Sequence, residues 1–186
     1  QIIFDTPTSQ VRQVIPNPYK GLRSFQETDA NNFFGREALV HRLVGRMREG
    51  GEFNRFLSIV GPSGSGKSSL VKAGLIPALR QGAVNNSEQW FFDEFAPGTH
   101  PFDELVNTLM SIATDATEAE LVAKLHASNL GFYEALNDVL PEDDTELFLF
   151  IDQFEEVFTL VEDEQVTLNF LESLYSAVTR PDTRLR

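Results

Sequence analysis

The sequence contains no cysteine. Disulfide bonds and metal sites built on thiolates are therefore excluded, which fits a protein made in a reducing compartment. The longest apolar runs, "FLSIV" and "LFLFI", are five residues each, whereas a helix needs roughly 20 apolar residues to span a bilayer. The first ten residues also lack the basic start and apolar centre of a signal peptide. We therefore expect a cytoplasmic protein that makes no membrane contact.

Basic residues are also scarce. The 186 residues include 15 Lys and Arg against 28 Asp and Glu, so the net charge is −13. Proteins that bind nucleic-acid backbones need clustered Lys and Arg. A nucleic-acid partner is therefore not indicated, and the length fits one domain or one domain with a small appendage.

Short apolar runs alternate with helical patterns along the chain. The runs at 55–60, 89–95 and 146–152 predict strands, and the first and last of them predict strands buried on both faces. The segments between them carry apolar residues at helical spacing, including a capping box that begins at Thr117. This order predicts an α/β fold with a parallel sheet flanked by helices.

The loop "GPSGSGKSS", which begins at Gly61, lies between the first apolar run and a helical stripe. It matches G-x-x-x-x-G-K-[ST] in the strand–loop–helix context of a phosphate-binding loop. Glycines leave backbone N–H groups open to a phosphate, and the helix start adds its positive dipole end. Lys67 offers a charge to the outer phosphates and Ser68 a hydroxyl to Mg²⁺. We expect nucleotide contacts from the whole loop: Gly61, Pro62, Ser63, Gly64, Ser65, Gly66, Lys67, Ser68 and Ser69.

A second acidic segment, "IDQFEE", follows the last apolar run. Asp152 ends a predicted buried strand, where a carboxylate is costly unless it has a task. Holding Mg²⁺, directly or through water, is such a task. Glu155 and Glu156 follow at the start of the next helix, and either of them could polarise an attacking water. Both glutamates would also suit a helix N-terminus without any catalytic role.

These motifs together with "NPYKGLRSF" and "FFGREALV" resemble the NTPase domain of bacterial STAND proteins, over roughly residues 16 to 160. STAND proteins are signal-transducing P-loop ATPases, and this branch is often joined to WD-repeat or other sensor domains. The resemblance implies that Phe34, Gly35 and Arg36 line the adenine pocket. It also implies sensor or effector domains in the same full-length chain and nucleotide-dependent self-assembly as partners.

Residues 1–18 contain Pro, Asn and Thr breakers and no clear period, which predicts an extended arm. The resemblance implies a partial P-loop NTPase domain over 19–186. In STAND-like ATPases a strand with a polar sensor residue follows the last helix. We expect this sequence to stop just before that strand, and therefore to have negligible turnover alone.

The leading functional hypothesis is a switch module that binds ATP with Mg²⁺ and hydrolyses it slowly in the full-length protein. Lys67 and either Glu155 or Glu156 would then act in catalysis. The alternative is a scaffold that binds nucleotide without hydrolysis and works through protein contacts. A GTPase is disfavoured because the guanine-reading pattern [NT]-K-x-D is absent from the sequence.

Overall fold

A computed structural model describes residues 23–49 and 55–186 of the protein. The described residues form an α/β fold, as predicted. The predicted arm at 1–18 lies outside them, as do residues 19–22. The elements follow in the order α1 (Glu37–Arg48), α2 (Lys67–Leu70), a π-helical turn (Val71–Leu75), α3 (Ile76–Arg80), β1 (Phe91–Phe95), α4 (Pro101–Ile112), α5 (Glu118–Ala127), α6 (Gly131–Val139), β2 (Leu147–Ile151), α7 (Glu156–Thr159) and α8 (Glu164–Thr179), with short 3₁₀ helices at Glu27–Asn32 and Ser87–Gln89.

The sheet is parallel, as predicted. β1 pairs with β2 in a register that runs from Phe91 opposite Leu147 to Phe95 opposite Ile151. The connection between them carries α4, α5 and α6, because parallel neighbours need a long crossover. Both strands therefore end at the same edge of the sheet, and Asp152 lies at that edge.

The two faces of the sheet pack against different cores, because side chains alternate along a strand. One face, with Phe95 and Leu147, belongs to a core shared with α4, α5, α6 and α8. We call it the helical core. The other face, with Phe92 and Phe148, packs against α1 and the helix 67–80, which comprises α2, the π turn and α3. We call it the loop-side core.

The last three residues correct the expectation that the sequence stops before a further strand. Leu147 N–H donates to the Arg184 carbonyl at 2.8 Å, and Arg186 N–H donates back to the Leu147 carbonyl at 2.8 Å. Leu149 N–H donates to the Arg186 carbonyl at 2.9 Å. Residues 184–186 therefore already pair with β2 in parallel, on the edge away from β1. The sequence prediction failed here because "TRLR" carries only one apolar residue.

The predicted strand at 55–60 is not found as a strand. Within the described ranges it has no sheet partner, and its residues alternate between half-buried and exposed. Leu57 and Ile59 pack against the loop-side core, whereas Phe56 is 59% and Val60 90% exposed. The expectation of burial on both faces was therefore wrong: one face of this extended segment lies on the core, and the other is mostly exposed.

The helix 67–80 passes through the π turn just before Pro77, and in this turn Ile76 N–H donates to the Val71 carbonyl five residues back. Pro77 has no N–H, so it cannot donate the usual α-helical hydrogen bond to the carbonyl of Ala73, four residues back. None of the helices in the described part of the chain is long and apolar enough to cross a membrane.

Candidate functional site

The loop 61–66 turns the chain sharply into helix 67–80. Gly64 and Gly66 have φ angles of 75° and 85°, a region that side-chain-bearing residues rarely enter. Gly66 is also the residue before the first helical turn. The first N–H groups of a helix have no carbonyl partner within it. The loop therefore leads into a helix start whose first N–H groups are not bonded within the helix.

Lys67 folds back over this loop. Its Nζ donates to the carbonyl of Gly61 at 2.9 Å and to that of Pro62 at 3.2 Å. Gly61 itself has little room, because a Cβ there would lie 3.1 Å from the Ser65 hydroxyl. An ammonium carries three donor hydrogens, so Lys67 keeps one in addition to these two contacts.

Ser68 and Asp152 meet across 84 positions of sequence. The Ser68 hydroxyl donates to Asp152 Oδ1 at 2.8 Å. Asp152 is fixed at the sheet edge by its own N–H, which donates to the Phe95 carbonyl at 2.9 Å. Gln153 follows with φ at 53° and donates its N–H to Asp152 Oδ1 at 3.1 Å. The carboxylate is about a quarter exposed, so it is oriented but accessible.

The two glutamates beyond Asp152 have different surroundings. Glu156 is half-buried, and its Oε2 accepts the N–H of Gly98 at 3.1 Å, which ties α7 to the loop after β1. Glu155 is exposed. Among the described residues, its carboxylate has no hydrogen-bond or ion-pair partner. The two positions therefore differ in how freely the carboxylate can move.

The "FGRE" segment lies beside the loop. Arg36 reaches the Ser65 carbonyl at 3.4 Å, and Phe34 is 77% exposed. Gly35 has φ at 80°, and its N–H donates to Glu37 Oε1 at 2.9 Å. The N–H groups of Glu37 itself and of Gly35 hold the pKa of the Glu37 carboxyl below its ordinary value.

Phe33, the neighbour of Phe34, anchors this segment. Its ring lies 5.8 Å from that of Phe25 and packs over Gly74. A Cβ on Gly74 would be 3.2 Å from the Phe33 ring and 2.8 Å from Val40. The position of the "FGRE" segment beside the loop therefore depends on the absence of a side chain at Gly74.

Ser69 differs from the rest of the loop. It is buried, and its hydroxyl accepts the N–H of Phe25 at 2.9 Å. Its side chain thus faces the segment 23–33 rather than the sheet edge. Any contact of Ser69 with a phosphate would have to come from its backbone N–H.

Sequence reasoning missed Lys72 and Glu94. Lys72 Nζ lies 2.9 Å from Glu94 Oε1 and 3.8 Å from Asp152 Oδ2. A signal for Lys72 was present, since it follows Ser68 by four residues and so lies on the same side of the helix. Glu94 could not be found from sequence, because its register against β2 was unknown.

The described residues contain no group of three or more His, Cys, Asp or Glu side chains that could hold a metal. Mg²⁺ bound with a nucleotide does not need such a group, because substrate phosphates and water supply most of its ligands. The Ser68 hydroxyl and the Asp152 carboxylate offer the oxygen atoms that Mg²⁺ prefers. The residues present therefore fit the ion.

Comparison with protein families gives one match. Residues 18–186 match the family model described as Novel STAND NTPase 1. The chain belongs to this family. The resemblance to STAND NTPase domains is thus confirmed over most of the chain, and nucleotide binding within a multidomain protein is what the family suggests. Comparisons with the curated proteins and with solved structures found no match. The roles of single residues and the WD-repeat fusion stay predictions.

Proposed function

We propose that this domain binds ATP with Mg²⁺ in the space above loop 61–66 and acts as the switch of a larger signalling protein. The loop N–H groups and Lys67 would hold the phosphates. Ser68 and Asp152 would hold the Mg²⁺ ion, and the ion would neutralise part of the negative charge of the phosphates. Phe34, Gly35 and Arg36 would line the adenine pocket.

One observation carries this proposal: the 2.8 Å contact between Ser68 and Asp152. A serine-rich turn without a ligand has no need of an acidic partner from a distant strand. Here a hydroxyl and a carboxylate converge beside a loop of left-handed glycines and a lysine. That combination is what binding of a phosphate–magnesium group requires.

The position of Arg36 supports the adenine assignment. Its contact with the Ser65 carbonyl puts the "FGRE" segment next to the phosphate end of the proposed site. Exposure of Phe34 beside this contact leaves a ring face open for stacking against a base. We do not assign Ser69 a side-chain role, because its hydroxyl is bonded to Phe25.

Hydrolysis needs a group that orients water in addition to the phosphate and ion contacts. We propose Glu155 for this role, because its carboxylate is free to turn towards the site, whereas Glu156 holds Gly98. The alternative scaffold function is favoured if neither glutamate affects turnover. Both versions require ATP binding, and both allow self-assembly that depends on the bound nucleotide.

Calorimetry with Mg²⁺ and ATP on the 186-residue chain tests the binding proposal. Lys67→Ala should weaken binding about 10- to 150-fold, since a charge-assisted hydrogen bond contributes roughly 1.5–3 kcal/mol. Lys124→Ala is the matched control, because Lys124 pairs with Asp138 on α5 and α6, away from the loop. Equal affinities in Lys67→Ala and the unchanged chain would remove the phosphate-loop assignment.

Single-turnover hydrolysis in the full-length protein separates the switch from the scaffold. Glu155→Gln should keep ATP bound and slow its hydrolysis by about 100-fold or more, the size of a general-base contribution. Glu156→Gln should change turnover less, because an amide can still accept the Gly98 N–H. Unchanged hydrolysis in both variants would move water activation out of this segment.

A further inference from the structure

Lys72 is the charged residue next to Asp152 that the proposed function does not use. Its side chain is 13% exposed, and its ammonium lies between two carboxylates. The distance to Glu94 Oε1 is 2.9 Å, and the distance to Asp152 Oδ2 is 3.8 Å. Lys72 therefore belongs mainly to Glu94, with Asp152 as the more distant partner.

The sheet explains why these groups meet. Glu94 lies opposite Phe150 in the register of β1 and β2, so both side chains point to the face that helix 67–80 covers. Lys72 Nζ lies 5.9 Å from the centre of the Phe150 ring. Asp152 follows Phe150 by two residues and points to the same face. The row of Glu94, Lys72 and Asp152 is thus built by strand register and helix spacing together.

The two oxygens of Asp152 have different neighbours. Oδ1 accepts the Ser68 hydroxyl, and Oδ2 faces the Lys72 ammonium. A cation that approaches this carboxylate meets the repulsion of Lys72, and Glu94 reduces that repulsion by neutralising Lys72 and drawing it aside. The strength of the Glu94–Lys72 pair therefore affects how strongly Asp152 attracts a cation.

We propose that Lys72 is a positioning residue that sets the Mg²⁺ affinity of Asp152, and that Glu94 controls Lys72. This inference rests on the proposed function. It predicts effects of opposite sign. Removal of the Lys72 charge should strengthen the contribution of Mg²⁺ to ATP binding, whereas removal of the Glu94 charge should weaken it, because Lys72 then turns to Asp152.

The measured quantity is the ratio of ATP affinities in Mg²⁺ and in EDTA, obtained by calorimetry. Lys72→Met should raise this ratio roughly 3- to 10-fold, as expected for one nearby charge in a partly hydrated site. Lys72→Arg should leave it near the value of the unchanged chain, since the charge remains. Glu94→Gln should lower the ratio, and that fall should be smaller when Lys72 is already methionine.

Three results would overturn the proposal. The first is an unchanged or lower ratio in Lys72→Met, and the second is an unchanged or higher ratio in Glu94→Gln. The third is an equal effect of Lys72→Arg and Lys72→Met, which is what a merely structural role of the side chain gives. If Lys72→Met does not fold in a thermal melt, Lys72→Arg and Glu94→Gln still decide. Absence of ATP binding by the unchanged chain in both buffers would overturn the proposed function, and this inference with it.

Discussion

The helical core and the loop-side core differ in what their helices do. In the helical core, residues such as Leu109, Phe132 and Phe170 are fully buried and pack between helices. In the loop-side core, helix 67–80 buries Leu75 and Leu79. The same helix also carries Ser68 and Lys72 to Asp152 at the sheet edge, and Lys67 to the loop 61–66. The helices on one face of the sheet thus serve mainly to stabilise the fold. The helix on the other face also positions charged and polar side chains.

This difference predicts that substitutions separate into two classes. Changes in the helical core should lower stability and leave the affinity of the folded protein for ATP unchanged. Changes on the loop side should act on affinity at a modest loss of stability. Thermal melting and calorimetry on the same variants measure both quantities.

The largest loss of stability is expected for Phe170→Ala. Phe170 is fully buried, and its ring meets those of Phe95 and Phe102 edge to face at 6.5 and 5.5 Å. Truncation of a buried Phe costs about 3–5 kcal/mol. The control is Phe158→Ala, because Phe158 is 61% exposed. Similar urea midpoints for these two variants would show that the helical core does not dominate stability.

The next effect concerns two glycines. A Cβ on Gly131 would lie 2.1 Å from the Lys124 carbonyl oxygen, which is backbone and cannot move aside cheaply. Gly131→Ala should therefore cost about 1–3 kcal/mol or more. Gly45→Ala is the matched control, since nothing lies within 4 Å of the new methyl group. In Gly45→Ala, the alanine in the helix should raise the free energy of unfolding by about 0.5–1 kcal/mol. A Gly131 variant as stable as the Gly45 variant would contradict the close packing of α5 and α6.

Gly74→Ala should lower the stability less than Gly131→Ala does, but it should also lower the affinity for ATP. The new methyl group meets side chains of Phe33 and Val40, which can shift at a cost of roughly 1 kcal/mol. The shift of Phe33 would move the "FGRE" segment, so ATP affinity should fall several-fold, to about a third or less. Unchanged ATP affinity with lowered stability would show that this segment takes no part in nucleotide binding.

The smallest effect is expected for Thr117→Ala. Thr117 and Glu120 form a reciprocal cap at the start of α5, and the Thr117 N–H and hydroxyl hold the pKa of the Glu120 carboxyl below its ordinary value. A carboxyl group whose pKa is lower in the folded state stabilises the folded protein when the pH lies above its pKa in the unfolded state. This stabilisation is lost as the pH falls through its pKa in the folded state. The variant should melt roughly 2–4 °C lower at neutral pH. That gap in melting temperature should narrow below the ordinary pKa of a glutamate, about 4.3. An equal gap at neutral and at acidic pH would contradict the bond between the Thr117 hydroxyl and the Glu120 carboxylate.

Sequence predicted the parts of this molecule that depend on local pattern. Helix positions followed from apolar spacing, and the Thr117 cap from its two residues. The strands β1 and β2 followed from apolar runs bounded by turns. The pairing of Ser68 with Asp152 was implied by their motifs, although the contact itself needed the register of the sheet.

The parts that failed depend on neighbours rather than on local pattern. The segment 55–60 is as apolar as a buried strand, but no described element covers Val60. Residues 184–186 have weak strand character and pair because β2 offers an open edge. Lys72 and Glu94 meet only through strand register and helix placement. No local property of the sequence encodes such contacts between distant segments.

A double-mutant cycle on Ser68 and Asp152 tests the central claim most directly. The quantity to measure is the gain in ATP affinity that Mg²⁺ produces, in Ser68→Ala, Asp152→Asn and the double variant. If the two side chains hold one ion, each single change should remove most of the gain and the double change little more. Effects that add independently, or a gain that survives in the double variant, would contradict a shared magnesium site.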